Sequence, residues 1–260
     1  MPRYSANLTM LWPELDDPFA RFRAAAEAGF TRVERLVIHD LDARRVQELL
    51  GELGLSLILF DPYPGDWAAG DRGFLALPGR RHEVRETVLE AIETAGRLGT
   101  RLLNVLGGIV PEEHRAAAAG VAVENLRALA PAAQAAGITL LVEPLNAVDV
   151  PGYAFASLPA AADVVRAVDH PAVRLQFDAY HAARAGGDIL QLLREDFDLV
   201  GHVQIGDVPG RHQPGTGALP FAEFLSLLDE LGYRGAVGLE YTPQGTTEEA
   251  LAWLPVAARA

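Results

Sequence analysis

The sequence contains no cysteine and no lysine. The first absence rules out disulfides, thiolate metal sites and a cysteine nucleophile. The second rules out chemistry that needs a lysine amine, so Schiff-base aldol cleavage and pyridoxal-phosphate catalysis are excluded. Positive charge is scarce as well: 22 basic residues, all arginine, stand against 35 acidic ones and leave a net charge of -13. Such a field repels nucleic acid and the anionic face of a membrane. Long apolar runs are also missing, both at the N-terminus (Met1-Pro2-Arg3-Tyr4-Ser5-Ala6-Asn7-Leu8) and elsewhere. The expectation is a cytoplasmic enzyme acting on a small molecule, without a nucleic-acid or membrane partner. A homo-oligomer is compatible with its aromatic-rich loops.

The chain has 260 residues, half of them hydrophobic, enough for one large core. Short apolar runs alternate with helical patterns. Tyr4–Leu8 reads as a strand, and Asp17-Pro18 caps a helix over Phe19–Ala28 that Gly29 ends. Thr31–Ile38 is a second strand, followed by a helix from Asp42 to Gly54, and Leu55–Phe60 is a third. A long Gly-, Pro- and aromatic-rich connection then runs from Pro62 to Gly79. It carries Trp67 and Phe74, which are costly to leave in water, and reads as a lid over the strand ends. Arg80–Leu98 is helical and Thr100–Leu106 a fourth strand. Gly107-Gly108 lets backbone come close to whatever occupies the site, and a helix follows to Ala136. Four more units carry helices near Leu158–Val168, His181–Arg194, Pro220–Leu231 and Thr246–Ala257. Eight strands and eight helices in regular alternation predict a single α/β domain over 1–260, a closed (β/α)8 TIM barrel.

The last four apolar runs share a feature. Thr139–Glu143, Arg174–Asp178, Gly201–Gln204 and Gly235–Glu240 each end on an oxygen-bearing side chain: Glu143, Asp178, Gln204 and Glu240. Barrel enzymes draw their catalytic groups from the C-terminal ends of several strands. Three carboxylates and an amide form a hard-oxygen set suited to one divalent metal, Mg²⁺ or Mn²⁺.

Several segments resemble the hydroxypyruvate isomerase family, within the xylose-isomerase-like barrels. They are Leu141-Val142-Glu143-Pro144-Leu145-Asn146, Leu175-Gln176-Phe177-Asp178-Ala179-Tyr180-His181, the run from His202 through Gly217, and Gly238-Leu239-Glu240-Tyr241. The loop Gly65–Gly70 with Leu77–Arg80 is similar too. The resemblance implies that Glu143, Asp178, Gln204 and Glu240 hold the metal and that Glu143 and Glu240 transfer protons. The residues alone do not single out that pair. The implied reaction interconverts hydroxypyruvate and tartronate semialdehyde through an enediolate.

His181, Arg211, Trp67 and His202 are the candidate substrate contacts. His181 would open a helix at the mouth and hydrogen-bond a substrate oxygen, or else face solvent. Arg211 suits a substrate carboxylate or a surface ion pair. His202 alternates with Gln204 and shares its inward direction, for packing or for a contact behind the ligands. Three positions depart from the resemblance. Val33–Asp40 keeps the acidic Glu34 but lacks the expected aromatic and proline, Asp61 stands where an amide is usual, and Thr242 stands where a lysine often follows. These bear on which acid is accepted, because they add negative or remove positive charge around an anion. The alternatives are a 2-oxo-tetronate isomerase, a ketose 3-epimerase, for which a His at position 204 would be more usual, and a non-catalytic sugar-acid-binding barrel. A barrel endonuclease would need more His ligands and a basic groove.

Overall fold

Several helix starts in this chain are set by short polar side chains. Asp17, Asp42 and Asp188 each accept a backbone N–H of the first turn, and Thr246 and Glu249 close a reciprocal capping box. These local signals punctuate a barrel. The structure, a computed structural model, describes residues 3–260, so Met1 and Pro2 of the expected domain lie outside the described residues. The order is β1 (Arg3–Asn7), α1 (Pro18–Glu27), β2 (Arg32–Arg35), α2 (Ala43–Leu53), β3 (Ser56–Phe60), α3 (Arg81–Leu98), β4 (Leu102–Asn104) and α4 (Arg115–Ala135). It continues with β5 (Thr139–Val142), α5 (Leu158–Val168), β6 (Val173–Asp178), α6 (Ala179–Arg184), α7 (Ile189–Asp196), β7 (Val200–Ile205), α8 (Phe221–Glu230), β8 (Ala236–Leu239) and α9 (Thr247–Ala250). All eight strands pair in parallel and in sequence, and β8 closes on β1.

Strand alternation sends the two kinds of side chain in opposite directions. Ala6, Val33, Leu57, Leu103, Leu140, Phe177, Val203 and Val237 join the apolar core shared with the helices. Ser5, Asn7, Glu34, Asn104, Gln176, Asp178, His202 and Gln204, all buried, fill the barrel interior. Gly238 makes that interior possible: a Cβ there would lie 2.5 Å from Glu34 Oε2 and 2.8 Å from Gln204 Cγ.

Two expected helices differ. The segment His181–Arg194 forms two helices, because Gly186 takes a φ of +86° and a Cβ on Gly187 would sit 3.0 Å from the Ala182 carbonyl oxygen. The chain turns there, and Asp188 caps α7 afresh. The last helix stops at Ala250, short of Ala257, and Pro255 bars its continuation. The long third loop is only half free. Gly73–Ala76 is tied to the chain after β4 by Leu75 N–H to Leu106 O (3.2 Å) and Ala76 N–H to Gly107 O (2.9 Å). The Gly107-Gly108 pair is therefore approached by the chain's own residues 73–77 and 154–155, rather than kept clear for a ligand. Among the described residues no helix is long and apolar enough to cross a membrane.

Candidate active site

The strand ends converge as the sequence reading expected. Glu143, just past β5, is buried, accepts Asn104 Nδ2 at 2.7 Å through Oε2, and has no partner on Oε1. Asp178 closes β6, where Oδ1 caps α6 through Tyr180 N–H at 2.8 Å. Glu240, just past β8, accepts Asn7 Nδ2 (3.1 Å) and Gln204 Nε2 (2.5 Å). Burial, with Glu240 and Asp178 close by, holds the Glu143 carboxyl well above the usual carboxylate range. Burial also raises Glu240, with Asp178 and Glu34 adding to the effect and Arg211 opposing it. Two proton-avid carboxyls thus face each other from strands three apart.

Glu143, Asp178 and His181 bring ligand-type atoms within 4.8 Å of one another. His181 nevertheless fits a donor better than a ligand. Its Nδ1 accepts the Asn146 backbone N–H at 3.3 Å and lies 2.8 Å from Asn146 Nδ2. Because a backbone N–H only donates, the ring proton resides on Nε2, which lies 3.7 Å from Asp178 Oδ2. Burial pushes its pKa down to about 4, so the ring is neutral at pH 7. The hard oxygens of Glu143, Asp178 and Glu240, with Glu143 Oε1 unpartnered, fit a divalent cation.

Gln204 presents its amide nitrogen to Glu240 and to Glu34 Oε2 (2.9 Å), and its oxygen accepts Gln176 Nε2 (2.6 Å). To offer oxygen to a metal it would turn over together with Gln176, whose own Oε1 is unpartnered. Arg211 sits at the centre, with Nη2 at 2.5 Å from Glu240 Oε1 and 3.1 Å from Asp178 Oδ2. Burial opposes its charge, but Glu240, Asp178 and Glu143 outweigh burial and raise its pKa. Its backbone takes a φ of +55°, pinned by Arg211 N–H to Asp207 O and Thr242 N–H to Arg211 O, both 2.8 Å. Asp207 in turn accepts the N–H groups of Val208, Gly215, Gly217 and Leu219 and so braces the whole loop.

Two expected substrate contacts lie elsewhere. His202 is one layer deeper in the barrel, with Nε2 at 2.8 Å from Glu34 Oε1. Trp67 is half exposed on the loop tip, beneath the Arg72 guanidinium at 3.7 Å from its ring. Conversely, Asn7, Asn104 and Asn146 take part although the sequence reading passed over them. Asn7 and Asn104 end strands β1 and β4 just as the carboxylates end theirs, and that position was the available signal.

A closed parallel barrel with acidic side chains gathered at the C-terminal ends of its strands has the architecture of the (β/α)8 barrel enzymes, whose catalytic groups come from those ends. Residues 22–256 match the family model described as xylose isomerase-like TIM barrel, and the chain belongs to that family. It is 40% identical over 258 residues to a 2-oxo-tetronate isomerase of Cupriavidus necator, covering 98% of each chain. It is 37% identical over 255 residues to the hydroxypyruvate isomerase of Escherichia coli, again covering 98% of each. In structure it is similar to an AP endonuclease, family 2, from Brucella melitensis, with a TM-score of 0.94, 42% identity, and coverage of 97% of this chain and 98% of that one.

Proposed function

We propose that this chain is a metal-dependent isomerase that interconverts a short 2-oxo acid and its aldehyde or 3-oxo isomer, hydroxypyruvate and tartronate semialdehyde being the three-carbon case. The observation that carries the reading is the pair Glu143 and Glu240, two buried carboxyls with raised proton affinity on either side of Asp178. Relatives over the full length, a hydroxypyruvate isomerase and a 2-oxo-tetronate isomerase, support it.

In this reaction a proton leaves C3 and one returns at C2, the C3 hydroxyl proton passes to the C2 oxygen, and the enediolate between them carries negative charge. Glu143, Asp178 and Glu240, with Gln204 after its amide turns, would hold Mg²⁺ or Mn²⁺. When bound, the metal supplies Lewis-acid stabilisation of that charge. One glutamate removes the C3 proton and the other delivers a proton to C2, with the roles exchanged in reverse. His181 Nε2–H donates to a substrate oxygen. Arg211, whose Nε has no partner, receives the substrate carboxylate. Gln204, where a ketose 3-epimerase would more usually have His, favours an oxo-acid isomerase.

The test is proton NMR of hydroxypyruvate in D₂O with metal-stripped protein, then with Mg²⁺ or Mn²⁺. Loss of the C3 proton signal with appearance of tartronate semialdehyde, dependent on metal and on Glu240, is expected. Absence of exchange with metal demonstrably bound would exclude hydroxypyruvate. Exchange without product directs the assay to the four-carbon 2-oxo acid.

A further inference from the structure

Asn146 lies in the connection between β5 and α5, fully buried beside His181 of α6. Its side-chain amide has four hydrogen-bonding positions, and all four are taken. Oδ1 accepts the backbone N–H groups of Val148 (3.1 Å) and Asp149 (3.0 Å). Nδ2 donates one hydrogen to Asp149 Oδ2 (3.0 Å) and directs the other at His181 Nδ1 (2.8 Å). Turning the amide over would set its nitrogen against two N–H donors and its oxygen against a carboxylate, so the loop fixes its orientation. Asp149 is steadied in turn by the Tyr180 hydroxyl, which donates to Oδ2 at 2.6 Å.

His181 Nδ1 thus meets two donors, this amide and the Asn146 backbone N–H at 3.3 Å. The ring nitrogen that meets donors keeps its lone pair, and the other nitrogen carries the proton. The choice matters because His181 stands among ligand-type oxygens: Nε2 is 3.7 Å from Asp178 Oδ2, and the cluster with Glu143 spans no more than 4.8 Å. With the proton on Nδ1, a lone pair on Nε2 would face those oxygens and complete a Glu–Asp–His set, whose imidazole suits Zn²⁺. With the proton on Nε2, the ring offers the centre only an N–H, and hard oxygens alone hold a cation.

We infer that Asn146 is a positioning residue that keeps the His181 ring proton on Nε2, so that His181 donates a hydrogen bond to substrate and is denied to Zn²⁺ as an imidazole ligand. This rests on the metal-dependent isomerase reading above. Asn146 acts through His181 and takes no part in proton transfer.

The ring proton can be read directly. Two-bond ¹H–¹⁵N correlation spectra of metal-stripped protein labelled with ¹⁵N-histidine should show the His181 ring, identified by its absence in His181→Gln, with Nδ1 bare and Nε2 protonated. In Asn146→Asp the new carboxylate accepts a charge-assisted bond from Nδ1–H that outweighs the longer backbone contact, so the proton should move to Nδ1. Titration calorimetry should then give a ratio of Zn²⁺ to Mn²⁺ affinity at least about tenfold above wild type, and adding His181→Gln should cancel the rise. Because the new carboxylate would stand beside Asp149, Asn146→Asp is also combined with Asp149→Asn, which gives it a donor, and the same shifts are expected. A proton on Nδ1 in the wild type, a proton that stays on Nε2 in both folded variants, or an affinity ratio unchanged once the proton has moved overturns the inference. If no 2-oxo acid is turned over at all, the isomerase reading falls. The ring proton and the affinity ratio involve no substrate and still decide the role of Asn146.

Discussion

The two walls of the barrel mouth are built from the same residue types and differ in how those residues are bonded. On the wall from β6 through β8 to β2, Glu34 accepts from Ser5, His202 and Gln204, and Glu240 accepts from Asn7, Gln204 and Arg211. On the wall from β3 to β5, Asp61, Asn104 and Glu143 each keep an oxygen unpaired. A bonded carboxylate in a low-dielectric interior is rigid, and its geometry is fixed before any ligand arrives. The β6-to-β2 wall is the more densely bonded of the two, with Gln176 Oε1 and Arg211 Nε as its unpartnered atoms, and the β3-to-β5 wall leaves one oxygen free on each of its three residues.

Three substitution or titration experiments would break or sharpen this contrast. The largest effect is expected from the two glutamates, one on each wall. Glu240→Gln and Glu143→Gln should each lower kcat by about 10³-fold with circular dichroism unchanged, because each removes a proton carrier. Solvent-proton exchange of substrate checks it. Near-normal turnover in either variant would dissolve the pair.

Next comes removal of one carboxyl from each wall. Glu34→Ala strands Gln204 Nε2, His202 and Ser5, and should cost about 3 kcal/mol in urea unfolding. Asp61→Ala should cost less than about 1 kcal/mol, since Asp61 lies among the repelling carboxyls of Glu143, Glu240 and Glu34 and only the Asn104 side chain offsets them. Equal losses would show the walls to be alike.

The smallest effect is a pH dependence. Glu143, Glu240 and Asp61 have pKa values raised in the folded state, so the folded protein binds more protons than the unfolded chain above the usual carboxylate range. Stability is then lost as pH rises through the raised values. His181, lowered to about 4, acts oppositely only below its ordinary value of 6.5, which leaves the carboxyls alone to set the trend above it. Metal-stripped protein should melt a few degrees lower at pH 8 than at pH 6.5, and Mn²⁺ or Mg²⁺ at pH 8 should reverse the loss by binding the ionised carboxylates. Thermal melts with and without chelator read both.

Much of this was legible before folding was considered. Glu143, Asp178 and Glu240 stand at the ends of apolar runs, and period-two alternation together with the barrel rule sent all three to one mouth. Asp17 and Asp42 marked their helices for the same local reason. The split between α6 and α7 was readable in principle from Gly186-Gly187, but the apolar spacing across it looked continuous. Asn7 and Asn104 were passed over because an amide at a strand end carries no charge to mark it, and Trp67 was drawn in by a loop composition that does not say which way the ring turns.

The sequence by itself determined the barrel, its order and the set of oxygens at its mouth, because alternation, capping and turn chemistry act over a few residues. It also determined, through the missing lysine and cysteine, which chemistries were unavailable. Only the tertiary structure decided which of those oxygens are bonded and which are left free. The partners of Glu34 come from positions 5, 202 and 204, and Arg211 reaches Asp178 and Glu240 across 33 and 29 residues. Whether a buried carboxyl is saturated depends on what closure of the barrel brings against it, and no local pattern encodes that.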